Sequence, residues 1–249
     1  MERKGFIGGS DIASVLGMSR WKTPLQLWSE KIGLIEPDDL SDNEAVILGS
    51  ELEDFVAKKF EKTTGMKVRR PPVTHYTHQS YGWARAQVDR LIEGTDELLE
   101  VKTCSAWKLK EWDGEDIPIE YTLQVFWQLL VTGRRVGWIA VLIGGQKFLY
   151  KRIEADEAFQ EDMLSKAVAF WDLIQSKVPP SAMMGDDDAL LALHPKSDDQ
   201  IQACQEFEVQ IARRQELAMH IKEMTEEKDL IEVKLKEAIG DNLELLAGL

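Results

Sequence analysis

Asp89, Glu100 and Lys102 are the residues of this chain whose types and spacing suit catalysis. Residues 82–92 read as one strand and 98–104 as the next. Glu93-Gly-Thr-Asp-Glu97 between them is turn chemistry, so the pair should fold back as a hairpin. Side chains alternate along a strand, so Glu100 and Lys102 share one face while Val101 points to the other. Two carboxylates and an ammonium converging on a sheet face can hold a divalent cation and steady an attacking water. That is the chemistry of phosphodiester hydrolysis. Blander readings stand beside it. An Asp near a turn is commonly soluble punctuation, the spacing occurs by chance in many chains, and Lys102 could be an edge-strand lysine that discourages aggregation.

Such a site needs a scaffold, and the sequence supplies the elements. Gly8-Gly9-Ser10 precedes a short helix over 11–16, with Ser10 as N-cap and Gly17 as its stop. Thr23-Pro24 opens a second helix that runs to Ile32. A longer helix runs from about Asn43 to Thr64, with Leu52, Val56 and Phe60 as its apolar stripe. On it Glu53, with Gly49 and Ala57, borders the buried face. Residues 66–73 could form a strand, and 105–118 a loop. The helix over 119–132 buries Leu123, Phe126, Trp127 and Leu130, while Tyr121, Gln124 and Gln128 form a separate polar line at helical spacing. Strands over 136–144 and 146–153 meet at Gly144-Gly145, and Asp156 caps a helix reaching Lys177. Residues 1–180 thus form a layered domain of mixed α/β (α+β) class. Residues 181–197 read as an acidic linker, and 198–249 as a helical extension. There Leu217, Ile221, Met224, Lys228, Ile231, Leu235 and Ala238 follow a heptad seam, equally suited to a coiled coil, a self-packed hairpin or docking on the main domain.

Composition bounds the rest. Of 249 residues, 44% are hydrophobic, enough for a substantial core. No apolar run approaches the roughly 20 residues of a membrane span, and the N-terminal residues lack the apolar region of a secretion signal. Cys104 and Cys204 lie far apart, which fits a reducing, cytoplasmic setting. His75 and His78 belong to a solvated loop rather than a zinc site. The net charge is −14, of which −9 falls in residues 181–249. Long-range steering of DNA is therefore weak, and any grip on DNA must come from local basic patches.

Four ordered segments carry a family resemblance: Ile7-Gly-Gly-Ser-Asp-Ile-Ala13 with Lys22-Thr-Pro-Leu-Gln-Leu-Trp28, Leu48-Gly-Ser-Glu-Leu-Glu53, Val88-Asp89 with Leu99-Glu-Val-Lys102, and Tyr121-Thr-Leu-Gln124-Val. On these the chain resembles the YqaJ-type viral recombinases, relatives of lambda exonuclease in the PD-(D/E)XK nuclease superfamily. The resemblance implies a restriction-endonuclease-like mixed sheet flanked by helices, and a two-metal exonuclease acting on duplex DNA ends. It implies Glu53, Asp89 and Glu100 as ligands of Mg²⁺ (or Mn²⁺), with the Val101 carbonyl completing one site. Lys102 would orient or deprotonate the nucleophilic water, and Gln124 would position water or metal. Arg3 and Ser10 match a 5′-phosphate pocket, and Tyr121 lies in the fourth motif. Trp107, Lys108 and Lys110 could stack on a frayed base and hold phosphate, or the loop could simply pack. A homotrimer, a single-strand annealing partner and a phage or prophage origin also follow from the resemblance. The rival class is a catalytically silent DNA-end-binding or scaffold module, which metal-dependent cleavage of linear DNA would exclude.

Overall fold

The computed structural model describes residues 3–195 and 204–239. By contacts the chain falls into two units divided between Pro195 and Lys196, each taken here by itself.

The first unit is built around a five-stranded mixed sheet. In chain order its elements are α1 (Ile12–Val15), α2 (Pro24–Ile32), α3 (Glu44–Thr64), β1 (Val68–Arg69), β2 (Tyr76–Thr77), β3 (Arg85–Ala86), β4 (Arg90–Ile92) and β5 (Glu97–Cys104). They continue with α4 (Ile119–Thr132), β6 (Val136–Ile143), β7 (Lys147–Glu154), α5 (Glu157–Ser176) and α6 (Asp187–Leu193). Strand order is β1-β4-β5-β6-β7, and β2 pairs with β3 in a separate ribbon. Only β5 and β6 run parallel, joined by the α4 crossover, as parallel pairing requires.

The sheet is covered on both faces. Leu99 and Val101 of β5 pack with Val56, Ala57 and Phe60 of α3, while Leu98 packs with Val125 and Leu129 of α4. Alternation therefore turns Leu98, Glu100 and Lys102 towards α4. A further layer lies beyond α4, where its Leu123 and Trp127 meet Ile12, Trp28, Met163 and Phe170. At Gly137 the fit between β6 and α4 is tight, since a Cβ there would stand 2.6 Å from Val125 Cγ1.

Several boundaries differ from the sequence reading. The expected strand over 82–92 is two strands, β3 and β4, because the chain leaves one sheet for the other at residues 87–89. Residues 66–73 keep only the two-residue β1, and 105–118 contains a 3-10 helix, Ala106–Trp112. The stretch 181–197 is no free linker over its described part. Ala189 of α6 is buried in the helical core, and Asp186 accepts from the Thr23 hydroxyl and from the Met183 N–H. An apolar Ala-Leu-Leu run among the aspartates explains the docking.

The second unit is the single helix α7 (Gln205–Ile239) over its described residues. Leu217, Ile221, Met224, Ile231 and Leu235 of the heptad seam are exposed along it, and Lys228 pairs with Glu232 at 2.8 Å. The start of the expected helix, at 198–203, and the rest of the extension, 240–249, lie outside the described residues.

Candidate active site

β4 and β5 are laddered only at Arg90–Leu99 and Leu91–Leu98. Beyond Leu99 the β5 edge on that side has no strand partner, and Asp89 takes the place of one. Its carboxylate accepts the Val101 N–H at 2.8 Å. A strand residue presents its N–H and C=O to the same edge, so the Val101 carbonyl opens on the edge that Asp89 occupies.

Glu100 faces α4 and is 2% exposed, a costly place for a carboxylate unless its oxygens find donors. Oε1 accepts from Gln124 Nε2 at 2.6 Å and pairs with the Lys102 ammonium at 2.6 Å. Oε2 accepts from Gln128 Nε2 at 2.6 Å. Lys102 also donates to Gln124 Oε1 at 3.0 Å and stands 5.3 Å from the centre of the Tyr121 ring. The polar line on α4 thus exists to meet the charged face of β5.

Burial, then the Glu100 charge, hold the Asp89 carboxyl well above the ordinary aspartate range, against the pull of Lys102 and the Val101 N–H. Burial pulls the Lys102 ammonium down, but the charge and hydrogen bond of Glu100, with Asp89, more than offset it and leave its pKa raised. The Glu100 carboxylate thus favours the charged, donating form of Lys102. Burial also raises the Tyr121 phenol.

Glu53 lies near enough to Asp89 for its charge to act on that carboxyl, but its own partner is Arg90. Arg90, 4% exposed, holds Glu53 and the Asp89 carbonyl through Nη1 and Asp54 through Nη2. Among the described residues no three acidic, Cys or His side chains stand close enough to share an ion. Asp89 and Glu100 with the Val101 carbonyl nonetheless form an all-oxygen donor set, which suits Mg²⁺ or Mn²⁺. Burial first, and the neighbouring Glu100 charge second, disfavour a bare Asp89 carboxylate, a cost that a dication held by these oxygens would relieve. Sequence reasoning passed over Arg90. Its signal was a second charge, next to Asp89, between the apolar Val88 and Leu91.

The glycine turn at the N-terminus reaches the same place. A Cβ on Gly9 would stand 3.2 Å from Gln124 Cγ, so the turn lies directly on α4 beside that glutamine. Ser10 is not the N-cap: Asp11 occupies that position, without a side-chain capping bond, and α1 is a single turn. Asp11 accepts instead from the Gly8 N–H at 3.0 Å and from Lys31 at 2.8 Å. Lys31 thereby offsets the negative charge that Asp11 brings next to Ser10. Ser10 is exposed, and the Arg3 side chain lies outside the described residues. In the loop after β5, Trp112 is buried and stacked on Tyr121 at 5.7 Å, whereas Trp107 is 82% exposed. Lys108 approaches the Trp21 ring, 5.6 Å from its centre, and Lys110 is exposed.

A mixed sheet with α3 on one face, α4 on the other and a carboxylate pair where two strands part is a nuclease-type fold. Solved structures agree. An alkaline exonuclease from Laribacter hongkongensis superposes with TM-score 0.61 over 70% of this chain and 90% of its own, at 23% identity. The same enzyme in complex with dAMP gives TM-score 0.61 at 24% identity, with the same coverage of both chains. A phage related exonuclease from Haemophilus somnus gives 0.52 over 69% of this chain and 96% of its own, at 13% identity. The YqaJ-like viral recombinase domain matches residues 1–135, and the chain belongs to that family. It is 45% identical over 174 residues to the uncharacterized protein YqaJ of Bacillus subtilis, covering 69% of this chain and 54% of that protein. The chain therefore spans about half the length of that curated relative.

The raised Asp89 pKa has a measurable consequence. The native state holds this proton more tightly than the unfolded chain does. Stability of the metal-free protein therefore falls as pH rises from the unfolded aspartate value towards the raised one. Asp89→Asn keeps an acceptor for the Val101 N–H and removes that loss. In chelator near pH 8 the variant should unfold at a higher temperature than the unmutated protein, the gap closing towards about pH 4. Calorimetry finding equal midpoints near pH 8 would contradict this.

Proposed function

We propose that this chain is a divalent-metal-dependent exonuclease. It hydrolyses phosphodiester bonds at the ends of linear duplex DNA, in the 5′ to 3′ direction, and leaves single-stranded DNA for phage-type homologous recombination. The observation that carries the reading is the Asp89–Glu100–Lys102–Gln124 cluster where β4 and β5 part, in a chain of the viral recombinase family. The likeness of fold to an alkaline exonuclease supports it.

Asp89, Glu100 and the Val101 carbonyl would hold Mg²⁺, or Mn²⁺ in its place, with Glu53 joining when it exchanges its bond to Arg90. Two such ions, when bound, would supply Lewis-acid charge to activate water and to stabilise the attacking and leaving oxygens. Lys102, charged, donates to the nucleophilic water or to a phosphate oxygen. Gln124 bridges Lys102 and Glu100 and so fixes the distance between donor and ligand. The aromatic face of Tyr121 keeps the ammonium from swinging away. Purified protein should shorten end-labelled linear duplex with Mg²⁺ and leave it intact in chelator. Lys102→Ala should lower turnover by about 10²-fold or more while DNA binding persists, since the lysine serves chemistry more than grip. Undiminished digestion by this variant would remove Lys102 from the mechanism.

The 5′ end is read by Arg3, Ser10 and the Gly8-Gly9 turn, which lies against Gln124 and so next to the scissile bond. A guanidinium holds phosphate bidentately, so Arg3→Ala should narrow the rate difference between 5′-phosphorylated and 5′-hydroxyl ends by about tenfold. Equal rates on both ends with the unmutated chain would contradict the pocket. Trp107, Lys108 and Lys110 line the approach, with Trp107 free to stack on a frayed base.

With little long-range attraction for DNA, the enzyme stays on its track by encircling it as a homotrimer assembled through the first unit. The acidic second unit stays clear of DNA and docks a basic surface of a single-strand annealing partner. Light scattering should give a trimer both for the full chain and for one ending at Pro195. A monomeric full chain would overturn the ring, and a trimer lost only on truncation would move assembly to α7.

A further inference from the structure

The strongest unassigned feature is Gln128, in the middle of an apolar helix and 0% exposed. Its Nε2 donates to Glu100 Oε2 at 2.6 Å and to the Gln87 carbonyl at 2.8 Å, and its Oε1 has no hydrogen-bond partner. Both neighbours of the amide nitrogen are pure acceptors, so turning the amide over would set oxygen against oxygen. The orientation is thus dictated by chemistry, at the expense of an orphaned buried carbonyl. A methionine or leucine would remove the orphaned oxygen but leave Glu100 Oε2 and the Gln87 carbonyl without this donor, so the glutamine is placed here for what its nitrogen donates to.

The two glutamines of α4 that grip Glu100 are unlike. Gln124 is half-buried and also bonded to Lys102, so it belongs to the reacting centre. Gln128 lies one turn deeper, and its amide donates to Glu100 and to the backbone two residues before Asp89. It therefore ties the strand that carries one carboxylate to the chain that carries the other, where the β4–β5 ladder has already ended. We propose that Gln128 is a positioning residue. It fixes the rotamer of Glu100 and its spacing from Asp89, so that both carboxylates meet a divalent cation without rearranging. This rests on the nuclease reading above but goes beyond it.

Gln128→Met removes the donor and keeps the volume. Gln160→Met is its control, because Gln160 is also a buried amide, donating to the Phe126 carbonyl at 3.0 Å on the far side of α4 from Glu100. Calorimetric titration of the full chain with Mn²⁺ should find affinity weakened about 10–100-fold in Q128M and unaltered in Q160M. The Mg²⁺ concentration for half-maximal digestion of linear duplex should rise in step, with turnover largely restored at saturating metal. Metal-free Q128M should unfold at a lower temperature, because Glu100 Oε2 and the Gln87 carbonyl lose a donor. The titrations are therefore run where both proteins are folded, and weaker Mn²⁺ binding there reports positioning rather than packing. Q128L repeats the measurement if Q128M does not fold, and failure of both would make Gln128 structural and overturn the proposal. Unaltered Mn²⁺ affinity in Q128M, with an active and metal-binding unmutated chain, overturns the proposal alone. An unmutated chain that neither binds Mn²⁺ nor digests DNA overturns the nuclease reading as well.

Discussion

A carboxylate buried between a sheet and a helix is the constraint around which this domain is organised. Glu100 sits where the pattern of β5 calls for a core residue, with Leu98 on the same face two positions earlier. Removing such a charge from water costs several kcal/mol unless donors replace the solvent. Lys102, Gln124 and Gln128 are those donors: the lysine stands two residues along the same strand and face, and the glutamines stand on successive turns of α4. The crossover helix is therefore held to the sheet by polar bonds as well as by Val125 and Leu129.

The same constraint explains why β4 is short. A full ladder along β5 would occupy the Val101 N–H with backbone and leave Asp89 no place beside it. Ending the ladder at Arg90 gives that N–H to a carboxylate and leaves the chain before it free to enter the β2–β3 ribbon. Arg90 then serves both sides of the break. Its guanidinium binds the Asp89 carbonyl and carries Glu53 of α3 to the same edge, so one buried cation sets the third acidic group relative to the first two. A bidentate fork is needed for this, and lysine would not replace it.

The sequence carried much of this in its periodicities. Alternation on β5 placed Glu100 and Lys102 together, and the line Tyr121–Gln124–Gln128 announced a helix with a polar duty. Ile119–Thr132 and Val136–Ile143 fall where the apolar spacing put them. What local pattern did not carry was the break at 87–89, because leaving one sheet for another is decided by partners distant in the chain. Ser10 looked like a cap because serine before a helix commonly is one. The position went to Asp11, whose carboxylate is taken by Lys31, twenty residues on, and by the Gly8 N–H instead of capping the helix. Aspartates at 186–188 suggested solvent, and the buried contact of Asp186 with Thr23 is invisible without the fold. Whether Glu53 shares an ion with Asp89 and Glu100 is likewise a matter of rotamer, which spacing does not encode.

The bond between Thr23 and Asp186 joins residues near the two ends of the first unit. Thr23 caps α2, and α2 is closed over by α6 only when Ala189 enters the core. A chain emerging from the ribosome thus completes its sheet well before its outer helical layer can shut. Until α6 has cleared the exit tunnel, Leu25, Leu27 and Trp28 have only part of their covering. Because α7 follows α6 in the chain, this layer can close while that helix is still being made.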